Sequence, residues 1–111
     1  MARSTYVYIL TNKNRNVMYI GVTSELEKRI AQHRAKEFRG FTARYNVDRL
    51  VYIEEHVSPT DAIAREKQLK GWSRSKKNIL VSTVNPEWND LTADWLSEAA
   101  VRPAAGDPSL R

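Results

Sequence analysis

The sequence predicts an α+β fold: a small three-stranded antiparallel sheet, made of an N-terminal β-hairpin and a third strand, flanked by helices in the order β-β-α-β-α-α. Three observations carry this reading. Residues 6–10 and 17–23 are rich in β-branched and aromatic side chains and are joined through Asn12, Asn14 and Asn16, which tolerate turn geometry. Residues 50–56 repeat that composition after a polar stretch, which supplies the third strand. Between and after the strands stand Ser24-x-x-Glu27 and Ser58-Pro59-Thr60-Asp61, two patterns that open helices.

In the hairpin, folding about Lys13 and Asn14 makes opposed residue numbers sum to 27, so Tyr8 is expected opposite Tyr19, Tyr6 opposite Gly21 and Ile9 opposite Met18. The side-chain period of two then sorts the faces. Val7, Ile9, Met18, Ile20 and Val22 form an aliphatic face suited to a core, and Tyr6, Tyr8, Tyr19 and Gly21 form the other. The first helix is expected from Ser24, as N-cap of a capping box closed by Glu27, to about Glu37. Residues 38–48, with Gly40 and Asn46, read as a loop. The second helix is expected to end near Gly71, and a third to span 73–84 and stop at Pro86. Residues 88–96 hold at most a short turn or helix. Residues 97–111 are rich in Ala, Pro and Gly without an apolar period and read as a flexible tail, leaving one domain over 1–96.

Composition narrows the function. The chain has 111 residues, of which 41% are hydrophobic, enough for one core. It has no cysteine, which excludes disulfide frameworks and thiolate zinc sites, and no apolar run of membrane-spanning length or signal-peptide character, so a cytoplasmic protein without membrane contact is expected. The net charge is +5, and the basic residues cluster. Lys28, Arg29, Arg34, Lys36, Arg39, Arg44 and Arg49 face only Glu37 and Asp48 among acids. Arg65, Lys67, Lys70, Arg74, Lys76 and Lys77 are interrupted only by Glu66. Two such runs in one small domain point beyond solvated helix faces to a nucleic acid.

Some polar residues fall where apolar ones are expected. At 100° per residue His33 and Glu37 share the buried stripe of Leu26 and Ile30, with Arg29 at its edge and four residues before His33. In the second helix Glu66 sits in the seam of Ala62 and Leu69. An inward carboxylate either pairs with an inward cation, for which Arg29 is a candidate, or binds a metal. One acid of this kind suits a single hydrated ion and not a two-metal site. Trp72 and Trp88, near helix ends, read as core residues in preference to base-stacking platforms.

Tyr8 in YVYIL, the MYIG of Met18 to Gly21, Arg29 in LEKRIAQH, Glu66 in AREKQLKGW and the NPEW of Asn85 to Trp88 together resemble the GIY-YIG nuclease superfamily, specifically its small single-domain bacterial branch. The resemblance covers roughly residues 5–91. Tyr6-Val7-Tyr8 stands where Gly-Ile-Tyr would, and Val22 follows the second motif where some relatives carry a nearby lysine. The resemblance implies a metal-dependent endonuclease that hydrolyses DNA phosphodiester bonds, in structured or damaged DNA, with one divalent ion, Mg²⁺ or Mn²⁺. Glu66 is then the metal ligand. Tyr8, helped by Tyr19 or His33, orients or deprotonates the attacking water, and Arg29 clamps the phosphate. Asn85 fits the branch motif for the family asparagine, while Asn78 fits the spacing of more distant relatives. Lys67, Lys70, Arg74, Lys76 and Lys77 would contact the nucleic-acid backbone. Two alternatives stand beside this: a basic nucleic-acid-binding module of the same fold with weak or no catalysis, and a docking domain whose Tyr, Arg and Glu form a buried polar network. Neither target preference nor oligomeric state is legible.

Overall fold

The structure, a computed structural model, describes residues 4–36 and 40–93. Three strands form one antiparallel sheet in the order β2-β1-β3, with β1 (Thr5–Thr11) between β2 (Met18–Thr23) and β3 (Arg49–His56). The α+β class and three-stranded antiparallel sheet follow the sequence expectation. Helices cover both faces. Leu26 and Ile30 of α1 (Leu26–Arg34) pack with Tyr8, Leu10, Val47 and Leu50 on one side. Ala62 and Leu69 of α3 (Pro59–Lys70) and Val81 of α4 (Arg74–Val84) pack with Val7, Ile9, Ile20 and Trp88 on the other.

The hairpin register differs from the expected one by two residues. Tyr8 pairs with Gly21, Ile9 with Ile20 and Leu10 with Tyr19, so opposed numbers sum to 29. The reason lies in the turn. Asn12 Oδ1 accepts hydrogen bonds from the backbone of Asn16 (3.0 Å) and Val17 (3.1 Å), and Arg15 takes a left-handed φ of 63°. The Asn12 side chain thereby organises a wider connection than a tight turn at Lys13 and Asn14. A shift of two residues preserves the face of every side chain, so the aliphatic and tyrosine faces form as expected.

Gly21 now has a definite reason. A Cβ built there would lie 2.9 Å from Cε2 of Tyr8 and closer still to its phenol end. The residue is glycine because the Tyr8 ring crosses its backbone, not because of an unusual φ. On the other edge of β1 a bulge follows Ile9: Ile9 pairs with Tyr52 and Leu10 with Leu50, leaving Val51 unopposed.

Helix ends correct two expectations. Ser24 does not cap α1: the N-cap is Glu25, without a side-chain cap bond, and the preceding Thr23 Oγ1 accepts from the Glu25 N–H at 3.0 Å. The helix also stops at Arg34, before Lys36 with φ 58°, and Glu37 lies outside the described residues. Within the expected loop, Phe41–Arg44 form one helical turn, α2, and the buried Val47 donates its N–H to Thr42 O at 2.9 Å. The remaining starts agree. Ser58 caps α3 through Asp61 N (3.3 Å), and Ser73 caps α4 through Lys76 N (3.1 Å). Arg65 fastens α3 to β3 by a forked contact with Glu54 at 2.8 and 3.0 Å. Although burial opposes it, hydrogen bonds from Arg65, Tyr52 and His56 hold the Glu54 carboxyl down at about 2. Past α4, Leu91 N donates to Leu50 O (2.8 Å); residues 94–111, with the expected tail, are outside the described range. No helix among the described residues is long and apolar enough to cross a membrane.

Replacement of Gly21 by Ala places a methyl group against the Tyr8 ring. It is expected to destabilise the protein by about 1–3 kcal/mol in denaturant unfolding, as overpacking does, and to shift the Tyr8 ring resonances. A variant as stable as the parent contradicts the close approach.

A tyrosine, histidine and arginine cluster as the candidate active site

The tyrosine face of the hairpin is where the functional candidates converge. Tyr8 comes from the central strand, Tyr19 from β2, and α1 lays Arg29 and His33 above them from successive turns. The Tyr8 side chain is fully buried, and its hydroxyl lies 3.1 Å from His33 Nε2. Arg29 and Tyr19 also act on this phenol, the cation favouring its ionised form and the second tyrosine opposing it. Ring centroids are 6.2 Å apart for Tyr8 and Tyr19, and 5.3 Å for Tyr19 and His33. His33 Nδ1, in turn, lies 3.1 Å from Thr42 Oγ1, a buried hydroxyl on α2.

The electrostatics follow from burial. Enclosure, and then the neighbouring Tyr19, push the Tyr8 phenol well above its ordinary value, and Arg29 only partly offsets this. At neutral pH Tyr8 is therefore a protonated phenol. Burial, and secondarily the Arg29 charge, lower the proton affinity of His33, which is a neutral imidazole with one N–H. Tyr19 and Arg29 are only partly buried. Arg29 also lines an open polar cleft with Thr23, Ser24, Glu25, Lys28 and Gln32, so the buried cluster reaches solvent through Arg29.

The other candidates have their described partners outside Tyr8, Tyr19, Arg29 and His33. Glu66 is on α3, whose buried Ala62 and Leu69 belong to the opposite sheet face. Its carboxylate, with the side chain 15% exposed, meets Lys70 Nζ at 3.2 Å, an ion pair within its own helix. No group of three or more His, Cys, Asp or Glu that could hold a metal is found among the described residues. A single, mostly enclosed carboxylate suits one hydrated divalent ion shared with a substrate phosphate and does not suit a pair of ions.

Asn85, expected in catalysis, is committed elsewhere. Its amide donates to Val51 O (3.0 Å) and Asn89 O (2.9 Å), and its oxygen accepts from Asn89 N (3.1 Å). It fastens the turn after α4 to β3. Asn78 accepts from Arg74 Nε at 3.0 Å. Arg74 in addition donates to the carbonyls of Arg15 and Asn16, which holds the hairpin turn to α4. Lys67 and Lys70 are exposed on α3, Lys76 rides over the Trp72 ring at 4.2 Å, and Lys77 is half-buried on α4. Trp88 is a core residue that donates to Ser82 Oγ at 2.9 Å, and Trp72 packs partly buried at the core edge. Thr42 escaped sequence reasoning, since it lies in a stretch without periodicity and only the fold brings it to His33.

Lowered proton affinity in His33 has a measurable sign. Its imidazole is expected to titrate below the ordinary 6.5 in NMR, and Arg29→Ala is expected to raise that value by removing the nearby cation. Because the folded-state value is depressed, His33 contributes stability above the unfolded pKa that is lost as pH falls through the folded one. An unchanged midpoint in Arg29→Ala contradicts the electrostatic account.

Comparison with known proteins identifies the family. The family model for the GIY-YIG catalytic domain matches residues 4–78, which contain all four clustered residues and Glu66. A UPF0213 protein of Natronomonas pharaonis is 37% identical over 82 residues, covering 74% of this chain and 95% of the relative. One from Staphylococcus haemolyticus is 39% identical over 72 residues, covering 65% and 87%. The solution NMR structure of a UPF0213 protein from Bacillus halodurans superposes with a TM-score of 0.52 at 31% identity, covering 80% of this chain and 94% of that one. The chain belongs to the GIY-YIG family, a nuclease family, and is similar to its small UPF0213 members.

Proposed function

We propose that this chain is an endonuclease that hydrolyses phosphodiester bonds in DNA, structured or damaged, from a single domain over residues 1–96 and in the cytoplasm. The observation that carries the reading is the convergence of Tyr8, Tyr19, Arg29 and His33 from three elements beside an open polar cleft. Arg29 and Tyr19, the half-exposed members, receive the scissile phosphate, and the planar guanidinium holds its oxygens. Tyr8 lies behind them.

A phenol held protonated is a poor base, so Tyr8 acts as a relay. As the attacking water adds to phosphorus, its proton passes by way of Tyr19 to the Tyr8 oxygen, while the Tyr8 proton moves to His33 Nε2. The phosphodiester P–O bond then breaks and its oxygen leaves with a proton from solvent, while the Tyr8–His33 pair returns the proton it took up to solvent and regains its neutral form. Arg29 opposes charge on His33 in the free protein, and a bound phosphate offsets that repulsion. Glu66 would hold one divalent ion, Mg²⁺ or Mn²⁺, which when bound neutralises charge developing on the phosphate. Lys67, Lys70, Lys76 and Lys77 support the reading as backbone contacts that position DNA without selecting sequence.

A second reading, a DNA-binding module with weak or no catalysis, is favoured by the Glu66 to Lys70 ion pair and the enclosure of Tyr8. Incubation with branched, single-stranded and plasmid DNA separates the two. Metal-dependent cleavage is expected, reduced about 100-fold or more in Glu66→Ala and Arg29→Ala and about 10-fold to 100-fold in Tyr8→Phe. Salt-sensitive binding without cleavage of any substrate supports the module and removes the nuclease reading.

A further inference from the structure

The Thr42 hydroxyl faces His33 Nδ1 from α2, on the side of the ring opposite the Tyr8 hydroxyl, and each contact is 3.1 Å long. His33 is therefore gripped at both nitrogens. A neutral imidazole has one N–H and one bare nitrogen, and only one arrangement uses the partners well. A phenol is a good hydrogen-bond acid and a weak acceptor, whereas a bare imidazole nitrogen is a strong acceptor. Tyr8 O–H thus donates to Nε2. The proton of His33 then resides on Nδ1 and is donated to Thr42 Oγ1, an alcohol that accepts readily.

We infer that Thr42 is a positioning residue, which fixes His33 as the Nδ1–H tautomer and so keeps Nε2 bare to receive the Tyr8 proton. Its setting fits the role. Thr42 is 5% exposed, and its carbonyl is held by Val47 N at 2.9 Å, so the hydroxyl is presented from a tethered turn. A second-nitrogen partner of this kind is how proteins generally select an imidazole tautomer. The catalytic consequence rests on the nuclease reading, while the tautomer itself does not.

Long-range ¹⁵N-¹H NMR of the imidazole tests the tautomer without DNA. In the parent, Nδ1 of His33 is expected to show a protonated shift and Nε2 a bare one. Thr42→Val, close in shape, is expected to move the proton toward Nε2 or to average the two nitrogens, and Thr42→Ser to restore the parental pattern. In cleavage assays Thr42→Val is expected to lower kcat about tenfold or more with KM unchanged, and Thr42→Ser to recover it. A parental spectrum with the proton on Nε2, or a Thr42→Val spectrum identical to the parent, overturns the inference. So does a folded Thr42→Val that changes tautomer yet cleaves at the parental kcat. If the parent cleaves no DNA but carries the Nδ1 proton lost in Thr42→Val, the tautomer assignment stands and the nuclease reading falls.

Discussion

The passage of the Tyr8 ring across the backbone of Gly21 is the constraint on which the site depends. It can occur only in the observed register and only with no side chain at position 21. It sinks the phenol beneath α1, where burial and the neighbouring Tyr19 keep it protonated and where His33 and Arg29 can both reach it. Without that approach the two tyrosines would be an ordinary cross-strand pair, stabilising a hairpin and nothing more.

The two faces of the sheet divide the labour. The aliphatic face, capped by α3, α4 and Trp88, supplies the continuous core, and Glu54 with Arg65 locks α3 against β3 at its margin. The tyrosine face tolerates buried polar groups because they satisfy one another, Tyr8 with His33 and His33 with Thr42. Such a chain is costly to bury unless complete, so its completeness is itself part of what holds α1 and α2 in place.

Much of this was legible in the sequence because it rests on local periodicity. The strand period placed Tyr8 and Tyr19 on one face even though the expected pairing was two residues off, since a shift of two keeps parity. The helical period likewise found His33 and Leu26 on one stripe. What was not legible depends on long-range contact or on side chains replacing backbone partners. Asn12 reorganised the hairpin turn, and Thr23 took the hydrogen bond expected near the Ser24 cap. Asn85 and Arg74 were drawn into tertiary clamps that no local pattern announces, and Thr42 has meaning only once α2 meets α1.

The central claim is that the enclosed tyrosine cluster, and not the basic helices alone, receives the phosphodiester. Titrating a cleavage-resistant phosphorothioate oligonucleotide into the ¹⁵N-labelled protein, without metal, tests this most directly. The account predicts saturable shifts of the Arg29 side chain and the His33 imidazole that disappear in Arg29→Ala while shifts at Lys76 and Lys77 persist. Shifts confined to the lysines of α3 and α4, with Arg29 and His33 unmoved at saturation, would contradict it.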